Sequence, residues 1–240
     1  MIDKSESGLA EPTRARKRAT KPTAEEQHKP YHHGSLPQAL LQAAEVVLKR
    51  EGISGLSLRA IAREAGVSHT APQHHFGDTA GVLSELAADG FMRLSACIAN
   101  SARDVQDASE RPRAIARGYI DFAKKNPDLM RLMSRGEMFD AERPSLIEAR
   151  RTAGLALAGV FGDVRTAPLG PPSGKHTFGP MDASRAVALT AAWAYVHGLA
   201  LLLIDGRLDG LAASAEGIRH ADDLVMAAID QVQLSIGKAS

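Results

Sequence analysis

Residues 57–77, SLRAIAREAGVSHTAPQHHFG, constrain this chain more than any other stretch. Leu58, Ile61, Ala62 and Ala65 recur at helical spacing, which predicts a helix with one apolar face. Gly66 falls where that helix should end, because the left-handed position after a helix suits glycine best. Val67 follows as an apolar plug, and Ser68 predicts the N-cap of a second helix. Ala62 and Ala65 are small, so two short helices can cross closely, as a helix-turn-helix requires. The stretch predicts a unit that places one helix in the major groove of DNA.

The flanking sequence predicts helices throughout. Ser35 and Gln38 have capping-box spacing, and Leu36, Leu40, Ala44 and Leu48 line one row with Ala39, Ala43 and Val47 beside it. Lys49 and Arg50 complement the end of that helix, and Gly52 stops it. It should pack across the helix-turn-helix and complete a three-helix head over residues 31–78. A long helix follows Asp78, with Val82, Leu83, Leu86, Phe91, Leu94 and Ile98 on one side and with Gly81 and Gly90 weakening it. Further helices are expected at about 112–125, 127–135 and 144–162, the second of them capped by Asn126, and then at about 183–204 and 219–236. Residues 165–180 hold prolines and glycines enough to predict a loop. No stretch shows sustained period-two alternation, so the expected fold is all-α: the head, then a helical bundle over residues 79–240.

Charge is distributed unevenly. Arg14, Arg16, Lys17, Arg18 and Lys21 crowd into residues 14–21, whereas beyond residue 30 basic and acidic side chains nearly balance. Residues 1–30 lack apolar periodicity and are expected to be a disordered basic tail. Such a tail either lies along DNA phosphates or is simply solvated. The single cysteine, Cys97, permits no internal disulfide and no thiolate zinc cluster, which fits a cytoplasmic location. The N-terminus lacks the layout of a secretory signal. Residues 186–204 carry no formal charge and have the length of a membrane span. Thr190, His197 and Gly198 within the run, and Arg185 and Asp205 close to its ends, favour a buried helix of a dimer instead.

The second helix of the motif begins Ser68-His69-Thr70-Ala71-Pro72-Gln73-His74. Its polar residues are the candidates for DNA contact. Gln73 has the paired donor and acceptor that suit adenine, Thr70 can reach a base or a thymine methyl, and His69 and His74 can donate to base acceptors. Ser57 and Ser68, at helix starts, suit phosphate. Phe76 is expected to anchor the helix end in the core. Pro72, about four residues into the helix, should keep it short.

The pattern of the first helix, then SLRAIAREAGVS, then HHF, over residues 31–87, resembles the N-terminal head of TetR-type (tetracycline-repressor-like) transcriptional regulators. The Tyr31-His32-His33-Gly34 opening and the Ala71-Pro72 pair resemble one branch of that family. Trp193 and His197-Gly198 match the Trp, His and Gly signature of that branch's C-terminal domain. Residues 105–182 match only as generic helices. The resemblance implies a homodimer on a double-stranded DNA operator, with a C-terminal domain for dimerisation and for a small-molecule effector that releases DNA. It also places Gln73 where most relatives carry a tyrosine that contacts the backbone, and Thr79 where a lysine often touches phosphate. An operator must then be held with fewer strong phosphate contacts.

The effector side is less legible. Trp193 and His197 lie four apart on one helix face. Tyr119, Phe122, Met130, Met133 and Phe139 are further candidates to line a pocket, although apolar pockets and apolar cores use the same residue types. Few charges fall in the predicted core helices, which favours a largely apolar effector over a charged one. Without an effector, the chain would be a DNA-binding regulator controlled by a protein partner or by abundance.

Other chemistry lacks its motifs. His28, His32, His33, His74 and His75 form no His-Glu-x-x-His pattern, and adjacent histidines on one short helix point in different directions, so no metal is expected. Gly174-Lys175 is followed by His176, without the upstream glycine of a phosphate-binding loop, and no Gly-x-Ser-x-Gly elbow occurs. No cofactor and no enzymatic activity are expected.

Overall fold

Leu40, Ala43, Ala44, Val47 and Leu48 are all buried on one face of α1 (Leu36–Glu51), the helix that their spacing predicts. The structure, a computed structural model, describes residues 35–159 and 182–231. The basic tail, the Tyr31–Gly34 opening, the 165–180 stretch and residues 232–236 of the expected last helix lie outside the described residues. Ser35 does not form the expected capping box. Its side chain makes no cap hydrogen bond, and its carbonyl accepts from the Gln38 N–H at 2.9 Å. Pro37 stands in the first turn, where its missing N–H removes one of the amides a cap would serve.

A 3₁₀ turn, Ile53–Gly55, leads into α2 (Leu58–Ala65), and the Ser57 hydroxyl accepts from the Ala60 N–H at 3.2 Å to start it. Gly66 ends α2 in the left-handed region, with φ 67° and ψ 31°, and the Val67 N–H returns to the Ala62 carbonyl at 3.0 Å. That closure satisfies carbonyls the helix end would otherwise leave unpaired. α3 (Ala71–Phe76) begins later than the sequence suggests, so Ser68 is not its N-cap. A cap at Ser68 would need the amide of residue 72 for its carbonyl, and proline has none. The Ser68 carbonyl instead takes the Ala71 N–H at 3.0 Å, closing a turn over residues 68–70. Pro72 thus falls in the first turn of α3, where proline is tolerated, and the helix is short as expected.

α4 (Thr79–Ala102) is the spine of the molecule. Asp78 caps it, its carboxylate accepting the Gly81 N–H at 2.8 Å. Val82, Leu83, Leu86, Leu94 and Ile98 are buried along it. It touches α1 and α3 at one end and packs most extensively against α5 (Arg111–Lys125) and α7 (Pro144–Ala158) further along. Gly81 and Gly90 are not merely weak points in this helix. A methyl group at Gly81 would strike the Phe76 carbonyl oxygen, and one at Gly90 would strike Met133 and Leu129 of α6 (Pro127–Met133). Both glycines let neighbouring backbone or side chains approach α4 closely.

Polar contacts also join head and body. Glu45 on α1 accepts from Arg93 on α4 at 2.9 Å, and Arg93 also bonds the Asn126 side chain between α5 and α6. Asn126 therefore does not cap α6 with its side chain, contrary to what its position suggests. Its Nδ2 donates back to the Phe122 carbonyl at 3.0 Å, and its oxygen serves Arg93.

The chain closes with α8 (Ala183–Ile204), α9 (Asp209–Ser214) and α10 (Ala221–Gln231), of which the six-residue α9 carries no sequence signal strong enough to predict it. Ten α-helices and no strand occur among the described residues, so the fold is all-α, a three-helix helix-turn-helix head followed by a helical bundle. α8 is covered only in part by its own chain. Leu189, Ala192, Val196 and Ala200 are buried, but only 22 % of its most apolar stretch is covered within the chain. α8 is tied to its neighbours by Tyr195, whose hydroxyl donates to the Ala228 carbonyl at 2.8 Å, and by a bond between Tyr119 and His197 at 2.9 Å.

Leu40 and Ile61 are fully buried where α1 and α2 meet. Replacing either with Ala should lower stability by about 2 to 5 kcal/mol in urea denaturation. A variant at either position that keeps wild-type stability contradicts this packing.

Candidate functional site

α3 presents two unlike faces. Pro72 and Phe76 are buried, whereas Ser68, His69, Thr70, Gln73, His74 and His75 are exposed. α1 and α2 pack against its inner face, so a rigid layer supports the polar row. The Ser68 and Thr70 hydroxyls lie 3.2 Å apart in the preceding turn. Ser57 is exposed at the start of α2, and because its oxygen accepts from Ala60 it still has its own proton to donate. Thr79 is the first residue of α4, half-buried beside the capping Asp78. The structure thus gathers six of the seven candidate DNA residues on the α2–α3 surface and sets Thr79 at its edge.

Two further residues belong to this surface and are not among the candidates that the sequence singles out. Arg59 and Arg63 are exposed one turn apart on α2, and among the described residues neither has a hydrogen-bond or ion-pair partner. The signal is present as a basic pair at i,i+4 on the polar side of an amphipathic helix. By contrast, the neighbouring acid Glu64 is already paired, with Arg50 of α1 at 2.7 Å. The free charge of α2 is therefore positive, which suits a phosphate backbone.

The seven candidate effector residues separate into two groups. Tyr119, Trp193 and His197 come together across α5 and α8. The Tyr119 hydroxyl lies 2.9 Å from His197 Nδ1, and the His197 ring centre lies 6.3 Å from those of both Tyr119 and Trp193. Tyr119 is buried, whereas Trp193 is 51 % exposed. Phe122, Met130, Met133 and Phe139 lie in the continuous core, and Phe139 also carries Arg150 against its ring at 5.4 Å. Phe91 faces the same guanidinium at 5.8 Å, so Arg150 clamps two aromatic rings. A cavity of about 650 Å³ lies among α6, α8, α9 and α10, and one of about 240 Å³ lies beside α1 and α6. Neither is lined by any of the seven residues. Among the described residues, no group of three or more His, Cys, Asp or Glu is placed to hold a metal ion.

Burial fixes the protonation of the Tyr119–His197 pair. It raises the Tyr119 hydroxyl well above its ordinary range and holds the His197 imidazole below its ordinary value of 6.5. Both groups are then neutral near pH 7. As pH falls through about 6.5, the unfolded chain takes up the His197 proton before the folded chain does, so folding stability is lost on the acid side. Denaturation midpoints measured at about pH 7.5 and about pH 5.5 should fall more for the wild type than for His197→Gln. Equal falls would show that His197 is not held neutral.

Comparison with known proteins places both parts of the chain. Residues 40–86 match the model of the family described as bacterial regulatory proteins, tetR family, and residues 113–228 match that of the tetracyclin repressor-like C-terminal domain. A protein of unknown function from Rhodococcus sp. RHA1 is 33 % identical with a TM-score of 0.63, over 84 % of this chain and 95 % of that one. The TetR family transcriptional regulator PfmR from Thermus thermophilus shares the fold at 20 % identity and a TM-score of 0.50, over 80 % of this chain and 94 % of that one. An uncharacterised HTH-type transcriptional regulator of Bacillus subtilis (strain 168), YobS, is 28 % identical over 94 residues, which is 39 % of this chain and 49 % of that protein. The chain thus spans about half the length of that curated relative. With its helix-turn-helix head and helical body matched in order, the chain belongs to the TetR family of DNA-binding transcriptional regulators.

Proposed function

We propose that this TetR-family regulator is a repressor that binds a palindromic operator as a homodimer and leaves it when a small, largely apolar effector binds. The carrying observation is the two-faced reading helix, with Pro72 and Phe76 buried and the polar row from Ser68 to His74 exposed. Gln73 pairs with adenine, and Thr70, His69 and His74 reach neighbouring base edges. Ser57, Ser68 and Thr79 contact phosphate, and Arg59 and Arg63 supply phosphate contacts in place of those this chain lacks at its two departures from the family pattern.

The dimer reading rests on α8. A helix apolar around most of its surface is stable in water only when covered. Within the chain Val187 remains 69 % exposed, Trp193 51 % and, on α9, Leu211 60 %. A second copy is the partner that covers this face symmetrically. Two heads would then enter successive major grooves with half-sites about 34 Å apart. Membrane insertion of α8 is the rival, because the helix has the length and composition to span. Its bonds through Tyr119 to α5 and Tyr195 to α10 favour the dimer. Fractionation that leaves the protein with the lipid would overturn it.

The effector contacts Tyr119, Trp193 and His197. A phenol that keeps its proton donates to His197 Nδ1, which leaves Nε2–H as the ring's donor toward a ligand oxygen. Phe122, Met130, Met133 and Phe139, buried in the continuous core, are the further candidates to touch the effector. A thermal-shift screen tests the effector directly, since a compound that binds only the folded chain raises its melting temperature. Compounds found in this way should lose their effect with Trp193→Ala.

The operator is found by selecting duplexes from a random pool with the wild-type protein. The enriched sequence should be an inverted repeat bound by two chains, and enrichment of nothing would refute the DNA reading. On that sequence, Gln73→Ala or Thr70→Ala should cost about 1 to 3 kcal/mol and relax one position in each half-site. Equal loss on random DNA would show that these residues do not read bases. Arg59→Ala and Arg63→Ala should each reduce the salt slope of binding by about one charge and leave sequence preference intact.

A further inference from the structure

One guanidinium beneath the reading helix joins three elements. Arg143, the residue that precedes α7, donates from Nε to Glu85 Oε1 of α4 at 2.6 Å and from Nη1 to the Phe76 carbonyl oxygen at 3.4 Å. That carbonyl belongs to the last residue of α3, where a helix has no partner of its own to offer. Glu85 is held in place by a second donor, the Ser145 hydroxyl at 2.8 Å. One position earlier on α4, the Ser84 hydroxyl donates to the Ala80 carbonyl at 2.7 Å and accepts the Asp140 N–H at 2.9 Å. Residues 140–145 thus run along the first turns of α4 and reach the end of α3.

The fit is tight as well as polar. A methyl group at Gly81 would collide both with the Phe76 carbonyl and with Arg143 Nη1, so only glycine leaves room for this junction. The Arg143 and Glu85 side chains are 20 % and 25 % exposed, so salt screens them less than it screens surface pairs. Arg143 also lies 3.9 Å from Asp140.

We infer that Arg143 is a positioning residue for DNA reading: it fixes the end of the reading helix through the Phe76 carbonyl, with Glu85 and Ser145 holding its guanidinium. The inference rests on α3 as the base-reading helix. It also supplies a route between the two parts of the chain. α7 packs on α4 more extensively than any other pair of helices does, and it carries Arg143 at its start. The guanidinium lies behind α3 rather than on its exposed row, so its effect on DNA is indirect.

The test uses the full-length protein and the duplex that the wild type selects from a random pool. Arg143→Ala should weaken binding by about tenfold, what one charge-assisted hydrogen bond is worth, with an unchanged salt slope and a small change in melting temperature. Glu85→Gln, which removes the charge that orients Arg143, should weaken binding in the same direction, and the double variant should lose less than the two single losses combined. Unchanged affinity in Arg143→Ala overturns the inference. So does a loss accompanied by a shallower salt slope, which would make Arg143 a direct phosphate contact. If Arg143→Ala does not fold, Glu85→Gln carries the same readings, and its unchanged affinity overturns the inference. If the wild type enriches no sequence, the DNA reading itself fails and takes this inference with it.

Discussion

The close approach of α3 to α4 at Gly81 sets the geometry of the head. Phe76 turns its ring into the core while its carbonyl oxygen rests where any β-carbon at residue 81 would stand. That contact orients a helix of only six residues, too short to hold its own direction in water. α3 therefore takes its position from packing and not from propensity. Asp78 caps the spine at the same place, which sets the start of α4 relative to the reading helix. Every other part of the head follows: α1 lies across both short helices, and α2 is held at the angle its glycine turn allows.

The same spine links recognition with the body of the molecule. One end of α4 carries α1 and α3, and its length is packed against α5 and α7. Arg93 and Arg143 are two cations that cross this boundary, each anchored on a carboxylate of another element. α8 leaves much of its apolar surface uncovered within the chain. In a dimer its position would let one copy's packing steady the other's, so that assembly and head placement share the same helices.

Much of this is legible in the sequence, and the failures have identifiable causes. Regular periodicity marks α1, α2 and the start of α4, because apolar spacing records which face is buried, whereas α8 shows as an uncharged run. Gly66 is readable because a left-handed turn leaves few alternatives. The start of α3 is misleading because Ser68 has the chemistry of a cap, whereas the proline four residues later denies its carbonyl a donor. Asn126 likewise has the local chemistry of a cap and is used tertiarily, by Arg93. α9 escapes because six residues are too few to show a period. In the site, the exposed polar row of α3 follows from the motif. Arg143 cannot be found that way, since its partners Phe76 and Glu85 lie more than fifty residues away in the chain. The residues proposed to meet an effector are only partly readable, because Met130, Met133 and Phe122 look the same whether they line a pocket or fill a core.

In the proposed function, the exposed row of α3 from each of two copies lies in the DNA major groove. Guanine N7 faces that groove, so its protection from methylation on the selected operator reports the contact directly. Two protected patches are expected on one face of the duplex, about 34 Å apart and related by the symmetry of the repeat. A single patch, or protection confined to the minor-groove face of adenine, would contradict this reading.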